Sequence, residues 1–164
     1  MITFSPGEIF EMAEQIERNG AKFYRRVADQ AAGEPLRRTL LGLAQMEDDH
    51  ERRFAAMRSE LSKAQKGSTA FDPDDQGALY LQALADGHVF DVRVDPSEKL
   101  SGDESTEQVL RTAIGLEKDS IVFYIGLKDL VPSAEGKARV DAIIAEEMGH
   151  IATLSGQLRE AARA

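Results

Sequence analysis

Cysteine is absent from the 164 residues, which excludes disulfides, thiol catalysis, thiolate metal sites and cysteine-ligated iron–sulfur clusters. A surplus of positive charge is absent too: 20 Lys and Arg stand against 29 Asp and Glu, a formal net charge of −9. With no block of basic residues, neither a nucleic-acid backbone nor an anionic membrane surface is an expected partner. No apolar run approaches the roughly 18 residues that a membrane span requires. The opening stretch MITFSPGEIFEMAEQ lacks the basic-then-apolar pattern of a secretory signal, so a cytoplasmic location is expected. What is present is 42% hydrophobic and 30% charged, the balance of a chain that folds around one core, and a single domain over residues 1–164 is expected.

Helix signals dominate. Ser5-Pro6-Gly7-Glu8 offers a capping Ser, a Pro at the first helical position and a Glu three residues after the cap. Ile9, Ala13, Ile16, Gly20, Phe23, Val27 and Ala31 then recur at spacings of three and four, one helix face. Gly33 and Pro35 break this helix. A second starts near Pro35, carries Leu36, Leu40, Leu43, Phe54, Met57 and Leu61 on its stripe and is expected to fade near Gly67. Residues 67–104 read as a long crossover, with a short helical candidate near Gln76–Asp86 and a weakly alternating stretch His88–Val94. A third helix is expected from about Ser105, where Gln108 completes a capping box, with Val109, Ala113, Leu116, Ser120, Phe123, Leu127 and Leu130 on its stripe. Val131-Pro132-Ser133 ends it, and Ser133 can cap a fourth carrying Val140, Ile143, Ile144, Ile151, Leu154 and Leu158. The expectation is an all-α, four-helix up-down bundle: one hairpin over 5–66, the crossover over 67–104, a second hairpin over 105–164.

The two hairpins are copies. At an offset of 100, Glu17 falls on Glu117, Phe23 on Phe123, Tyr24 on Tyr124, Asp29 on Asp129, Glu47 on Glu147 and His50 on His150. Only nine of the 58 positions in 7–64 and 107–164 are identical, so their concentration on polar residues of an apolar stripe is informative. In the second helix Glu47 and His50 interrupt an otherwise apolar seam; Glu147 and His150 do so in the fourth, while Glu17 and Glu117 sit at the inner edge of their own stripes. Four carboxylates and two imidazoles would thus face one small interior. Burying one unpaired carboxylate costs several kcal/mol, and no Lys or Arg lies on these seams near the cluster. Two divalent cations would balance the charge, and oxygen and imidazole donors are what iron or manganese accept. Counted from the turns, all four carboxylates fall at nearly one level of the bundle at about 1.5 Å per residue, and each Glu-x-x-His places both side chains one turn apart on one face. Glu146 competes with Glu147 by adjacency, but the spacing and the repeat both select Glu147. Tyr24 and Tyr124, seven residues after Glu17 and Glu117, are either ordinary core tyrosines or hydrogen-bond donors to ligand carboxylates. His88 has no repeat partner and reads as a loop residue.

These six residues match the ferritin-like di-iron pattern, a Glu from each of two helices and Glu-x-x-His from each of the others. Through EKDSIVFY and EEMGHI above all, the sequence resembles a rubrerythrin-type member of that superfamily. The resemblance implies Glu17 and Glu117 as terminal ligands, Glu47 and Glu147 as bridges, and His50 and His150 capping one metal each. It implies two iron ions, with zinc or manganese as substitutes, and a homodimer or higher homo-oligomer. Two features depart from rubrerythrins proper. The cysteines of a rubredoxin centre are lacking, and Ile114 and Ser120 stand where an extra carboxylate would flank Glu117; the symmetric set is closer to the centre of bacterioferritin. The activity implied is reduction of hydrogen peroxide or dioxygen, in oxidative-stress defence, with electrons from an external donor protein or from fresh Fe(II). The bridging carboxylates, Tyr24 and Tyr124 are the groups expected to titrate. Ferroxidase chemistry with iron storage or delivery is a second expectation, and a redox-inert structural metal bundle a third.

Overall fold

A capping Ser opens three of the four long helices of the computed structural model, which describes residues 5–61, 95–131 and 133–163. These are α1 (Pro6–Asp29), α2 (Glu34–Glu60), α3 (Thr106–Leu130) and α4 (Ala134–Ala161), with a short 3-10 turn at Pro96–Lys99. Ser5 and Glu8 form a reciprocal capping box on α1, and Ser105 and Gln108 form the same box on α3. Ser133 accepts from the Gly136 N–H at the start of α4, and Pro35 sits in the first turn of α2. The serines satisfy amide groups that a helix start leaves open, and Pro35 has no N–H to leave unpaired.

One expectation needs correcting. The second helix ends at Glu60, well before Gly67, because Leu61 turns to extended dihedrals (φ −62°, ψ 132°). Leu61 is also the last apolar residue of the seam, half-buried against the core. Helices in proteins persist through packing more than through propensity, and Leu61 is the last described residue of the seam. The helical candidate at 76–86, the alternating stretch 88–94 and His88 lie outside the described residues.

The four helices form a bundle with two apolar clusters, one toward each end. The first joins Ile9, Phe10 and Ala13 from the start of α1 to Phe54 and Met57 from the end of α2, with Phe123 and Leu127 late in α3 and Val140 and Ile143 early in α4. The second joins Phe23 and Val27, Leu40 and Leu43, Val109 and Leu110, and Leu154. Early α1 therefore meets late α2 and late α3, so α1 runs antiparallel to both, and α4 antiparallel to α3. It follows that α2 ends at one pole of the bundle and α3 begins at the other. Leu100, just before α3, is buried in the second cluster, and its carbonyl accepts from Arg26 of α1. Between the clusters lies a layer in which Glu17, Glu47, His50, Glu117, Glu147 and His150 are all buried.

Phe54 is fully buried, with its ring centroid 4.9 Å from that of Tyr124. Phe54→Ala is expected to lower the unfolding free energy by about 3–5 kcal/mol. Val122→Ala, at a half-exposed position of α3, should change it by no more than about 0.5 kcal/mol. Chemical denaturation of both variants with matched m-values checks the pair.

Candidate metal centre

Each helix contributes to the central layer through the residue that its own spacing turns inward. On α2 and α4 the Glu-x-x-His pairs lie one turn apart, and on α1 and α3 the lone Glu follows an apolar residue of the stripe. The structure brings all six expected residues together, in two overlapping sets. Glu17, Glu47, His50 and Glu147 each offer a donor atom within 4.8 Å of the others, as do Glu47, Glu117, Glu147 and His150. Glu47 and Glu147 belong to both sets; Glu17 with His50, and Glu117 with His150, belong to one each. The imidazoles stack at a centroid distance of 5.6 Å and an interplanar angle of 18°.

Both rings turn Nδ1 to the centre. His50 Nδ1 lies 2.9 Å from Glu147 Oε1 and 3.5 Å from Glu17 Oε2. His150 Nδ1 lies 2.8 Å from Glu147 Oε2, 3.1 Å from Glu47 Oε1 and 3.4 Å from Glu117 Oε1. Glu17 Oε2, Glu47 Oε1, Glu147 Oε2 and both Nδ1 atoms are nevertheless buried without a well-formed hydrogen bond. Buried polar atoms left so are costly, and here they converge from four helices on one volume. That convergence, with an all-oxygen and imidazole donor set, fits two divalent cations sharing Glu47 and Glu147. No Lys or Arg contact to these six residues occurs among the described residues; the nearby guanidinium groups of Arg53 and Arg58 pair with Glu146 and Glu14 instead.

The tyrosines are hydrogen-bond donors, and they cross between hairpins. Tyr24 of α1 donates to Glu117 of α3, and Tyr124 of α3 donates to Glu17 of α1. Of the two expectations for these tyrosines, core residue or donor to a carboxylate, the structure gives the donor, and each reaches the glutamate of the other hairpin. Burial and then the facing carboxylate push both hydroxyls well above their ordinary value. Each hydroxyl thus serves as a donor to the carboxylate it faces. Tyr124 takes Oε1 of Glu17 and leaves Oε2 facing the centre, which fixes the carboxylate's orientation.

Glu146 has a place that the repeat did not reveal. Its Oε2 lies 2.9 Å from Nε2 of His50, on the outer side of the ring. The signal in the sequence was a break in the repeat, since Glu146 falls on Met46. Gly20 is a second such residue: a Cβ there would stand 3.1 Å from Glu47 Oε2, so the bare backbone makes room for that carboxylate.

These features define a four-helix bundle with a buried carboxylate and histidine cluster of dinuclear type, and comparison with known proteins gives the family. The rubrerythrin family model matches residues 8–158, and the chain belongs to that family. Among solved structures, a candidate ferritin-like diiron-carboxylate protein from Thermotoga maritima is similar over 98% of both chains, with 26% identity and a TM-score of 0.71. KatB, a manganese catalase from Anabaena, is similar in fold over 98% of this chain and 74% of its own, with 16% identity and a TM-score of 0.66. No curated protein matches the sequence significantly. No helix of the described residues is long and apolar enough to cross a membrane.

Without metal, protons balance the charge of the layer. Burial, reinforced by neighbouring carboxylates, pushes Glu17 and Glu47 well above the usual value of 4.5, and burial does the same to Glu117 despite its contact with His150. Burial also acts against Glu147, but the imidazoles of His150 and His50 facing it outweigh burial and hold that carboxyl at about 2. Burial would lower both histidines, yet the facing carboxylates raise His50 above 6.5 and push His150 up to about 12. The three raised carboxyls hold protons that the unfolded chain releases above 4.5, so their contribution to stability declines as pH rises. The histidine contributions are complete below 6.5 and decline as pH climbs toward the folded values. Glu147 has the opposite sign, but its contribution is lost only on descent toward pH 2 and is flat above 4.5. Chelator-treated protein is therefore expected to melt lower at about pH 8 than at about pH 5.5. Cations displace those protons, so the stabilisation gained from added Mn(II) should grow over the same interval. Thermal melts at the two pH values, with and without metal, check both signs.

Gly20→Ala tests the shared carboxylate from the other side. The added Cβ gains up to about 1 kcal/mol of helix propensity but presses on Glu47, and Glu47 serves both positions. The expected outcome is metal-free stability changed by less than about 1 kcal/mol, with weaker binding of both ions in competition with a chelator.

Proposed function

We propose that this chain is a di-iron oxidoreductase that reduces hydrogen peroxide or dioxygen at a centre of four glutamates and two histidines, as a defence against oxidants. The reading is carried by two overlapping donor sets that share Glu47 and Glu147 and hold unpaired buried oxygen and nitrogen atoms at their centre. Glu17 and His50 would complete one metal position, Glu117 and His150 the other. Anionic oxygen donors favour the higher oxidation state, so two ferrous ions bound there would supply two electrons together, one each, which with two protons convert hydrogen peroxide to two waters or dioxygen to hydrogen peroxide.

The chain's own residues do the rest. Tyr24 and Tyr124 keep their hydroxyl protons and hold Glu117 and Glu17 in orientation. His50 and His150 present Nδ1 to the centre. The apolar clusters above and below, with Phe23 and Leu40 on one side and Phe54 and Phe123 on the other, keep bulk water from the layer. A small oxidant suits so enclosed a site. Re-reduction would come from an external electron-donor protein, and a cytoplasmic homo-oligomer is the setting proposed for it. Manganese and zinc fit the same donors; iron is proposed for the two-electron chemistry.

Metal-free protein loaded anoxically with Fe(II) and split between hydrogen peroxide and air-saturated buffer tests the reading. Two irons per chain, oxidised faster by peroxide, with a rise in near-ultraviolet absorbance, is the expected result. Faster oxidation by dioxygen with further iron taken up on each addition would make it an iron-handling ferroxidase. Failure to bind two irons would overturn the dinuclear reading.

A further inference from the structure

The two halves of the centre come from one repeat, yet they are not held alike. His50 has a partner on each side: Nδ1 faces the carboxylates, and Nε2 lies 2.9 Å from Glu146 Oε2. Arg53 donates to both oxygens of Glu146, at 2.9 and 3.0 Å. A carboxylate paired with a guanidinium only accepts, so the hydrogen of the imidazole is drawn to Nε2. With a hydrogen fixed on Nε2, Nδ1 can give up its own to an incoming cation while the ring stays neutral and in place. An outer carboxylate on a ligating histidine fixes ring and tautomer in this way.

His150 lacks that arrangement. Its Nε2 is buried with no hydrogen-bond partner among the described residues. At the offset of 100, Met46 stands where Glu146 would be and Thr153 where Arg53 would be, so both the carboxylate and the guanidinium are missing. The ring's Nδ1 meanwhile faces three carboxylates within 3.4 Å. Its hydrogen is drawn inward, to the atom that a cation must occupy.

We propose that Glu146, itself held by Arg53, is a positioning residue that makes the two metal positions unequal. The position built on Glu17 and His50 is preformed and fills first. The position built on Glu117 and His150 fills second and exchanges its ion faster. The inference rests on the dinuclear reading, and Glu146 acts through His50 without being a ligand.

Cobalt(II) titration of chelator-treated protein, followed by calorimetry and visible absorption, tests it. Wild type is expected to take two ions in two resolved steps. Glu146→Ala should weaken the first step about 10–100-fold and leave the second unchanged, whereas Glu146→Gln, which keeps an acceptor oxygen, should restore most of the loss. In the cobalt-loaded wild type one hyperfine-shifted imidazole N–H should exchange slowly with solvent, be lost in Glu146→Ala and return in Glu146→Gln. A merely structural role for Glu146 would not move that signal. Should Glu146→Ala not fold, Met46→Glu combined with Thr153→Arg transplants the holder to His150, at positions that are at least partly exposed; it should tighten the second step and create a second slow N–H. Two ions bound with equal affinity in wild type, or both steps weakened alike in Glu146→Ala, would overturn the inference and leave the dinuclear reading standing. One ion bound in wild type would overturn the dinuclear reading and the inference with it. No ion bound would overturn both.

Discussion

Four carboxylates facing one another inside a bundle, with no Lys or Arg against them among the described residues, is the constraint on which the rest depends. Such a layer cannot be neutralised by the chain's own Lys or Arg, because the nearby guanidinium groups are engaged with Glu14 and Glu146. It has two solutions: protons, which raise Glu17, Glu47 and Glu117 and keep His150 charged, or cations. The two solutions compete for the same atoms. Metal binding in this fold is therefore the exchange of bound protons for bound ions within a fixed volume. The surrounding helices persist through that exchange because their apolar clusters lie above and below the layer.

Much of this was legible in the sequence for a plain reason: periodicity reports burial, and burial of a polar residue is a chemical statement. Glu47 and His50 could be located in the interior before any coordinates because Leu40, Leu43, Phe54 and Met57 bracket them at helical spacing, and all of these are buried. The caps Ser5, Ser105 and Ser133 were readable because capping is local. What escaped was set between elements. The exchange of Tyr24 and Tyr124 across the two-fold depends on how the hairpins face each other, which spacing within one helix does not encode. The place of Glu146 depends on α2 and α4 meeting at His50; by adjacency alone it was a failed rival to Glu147. The end of α2 was overrun because Ser62-Lys63-Ala64-Gln65-Lys66 contains no helix breaker, while in the structure Leu61 already takes extended dihedrals.

The repeat carries two kinds of information. Where it holds, at 17/117, 24/124, 47/147 and 50/150, it keeps the six buried donors and the two tyrosines that orient a carboxylate. Where it breaks beside those residues, at 46/146, 53/153 and 20/120, it marks where the halves diverge. Gly20 leaves room against Glu47, whereas Ser120 turns its hydroxyl back to the Leu116 carbonyl. These three divergences lie beside the centre and leave its six carboxylates and imidazoles unchanged, so near the centre the halves differ in what surrounds the donors.

That confinement has an energetic logic. A change in a ligand would remove a charge from a layer whose charges are already coupled, and every remaining group would feel it. A change one shell out adjusts the direction of a lone pair or the space around an oxygen while the charge of the layer stays the same. Arg53 illustrates the point, because its own charge is cancelled by Glu146 before it reaches the centre. The pair adds a hydrogen-bond acceptor at Nε2 of His50 with little net field. A bundle built from a duplicated hairpin can in this way keep a symmetric donor set, with its balanced charge, and still hold its two imidazoles unequally.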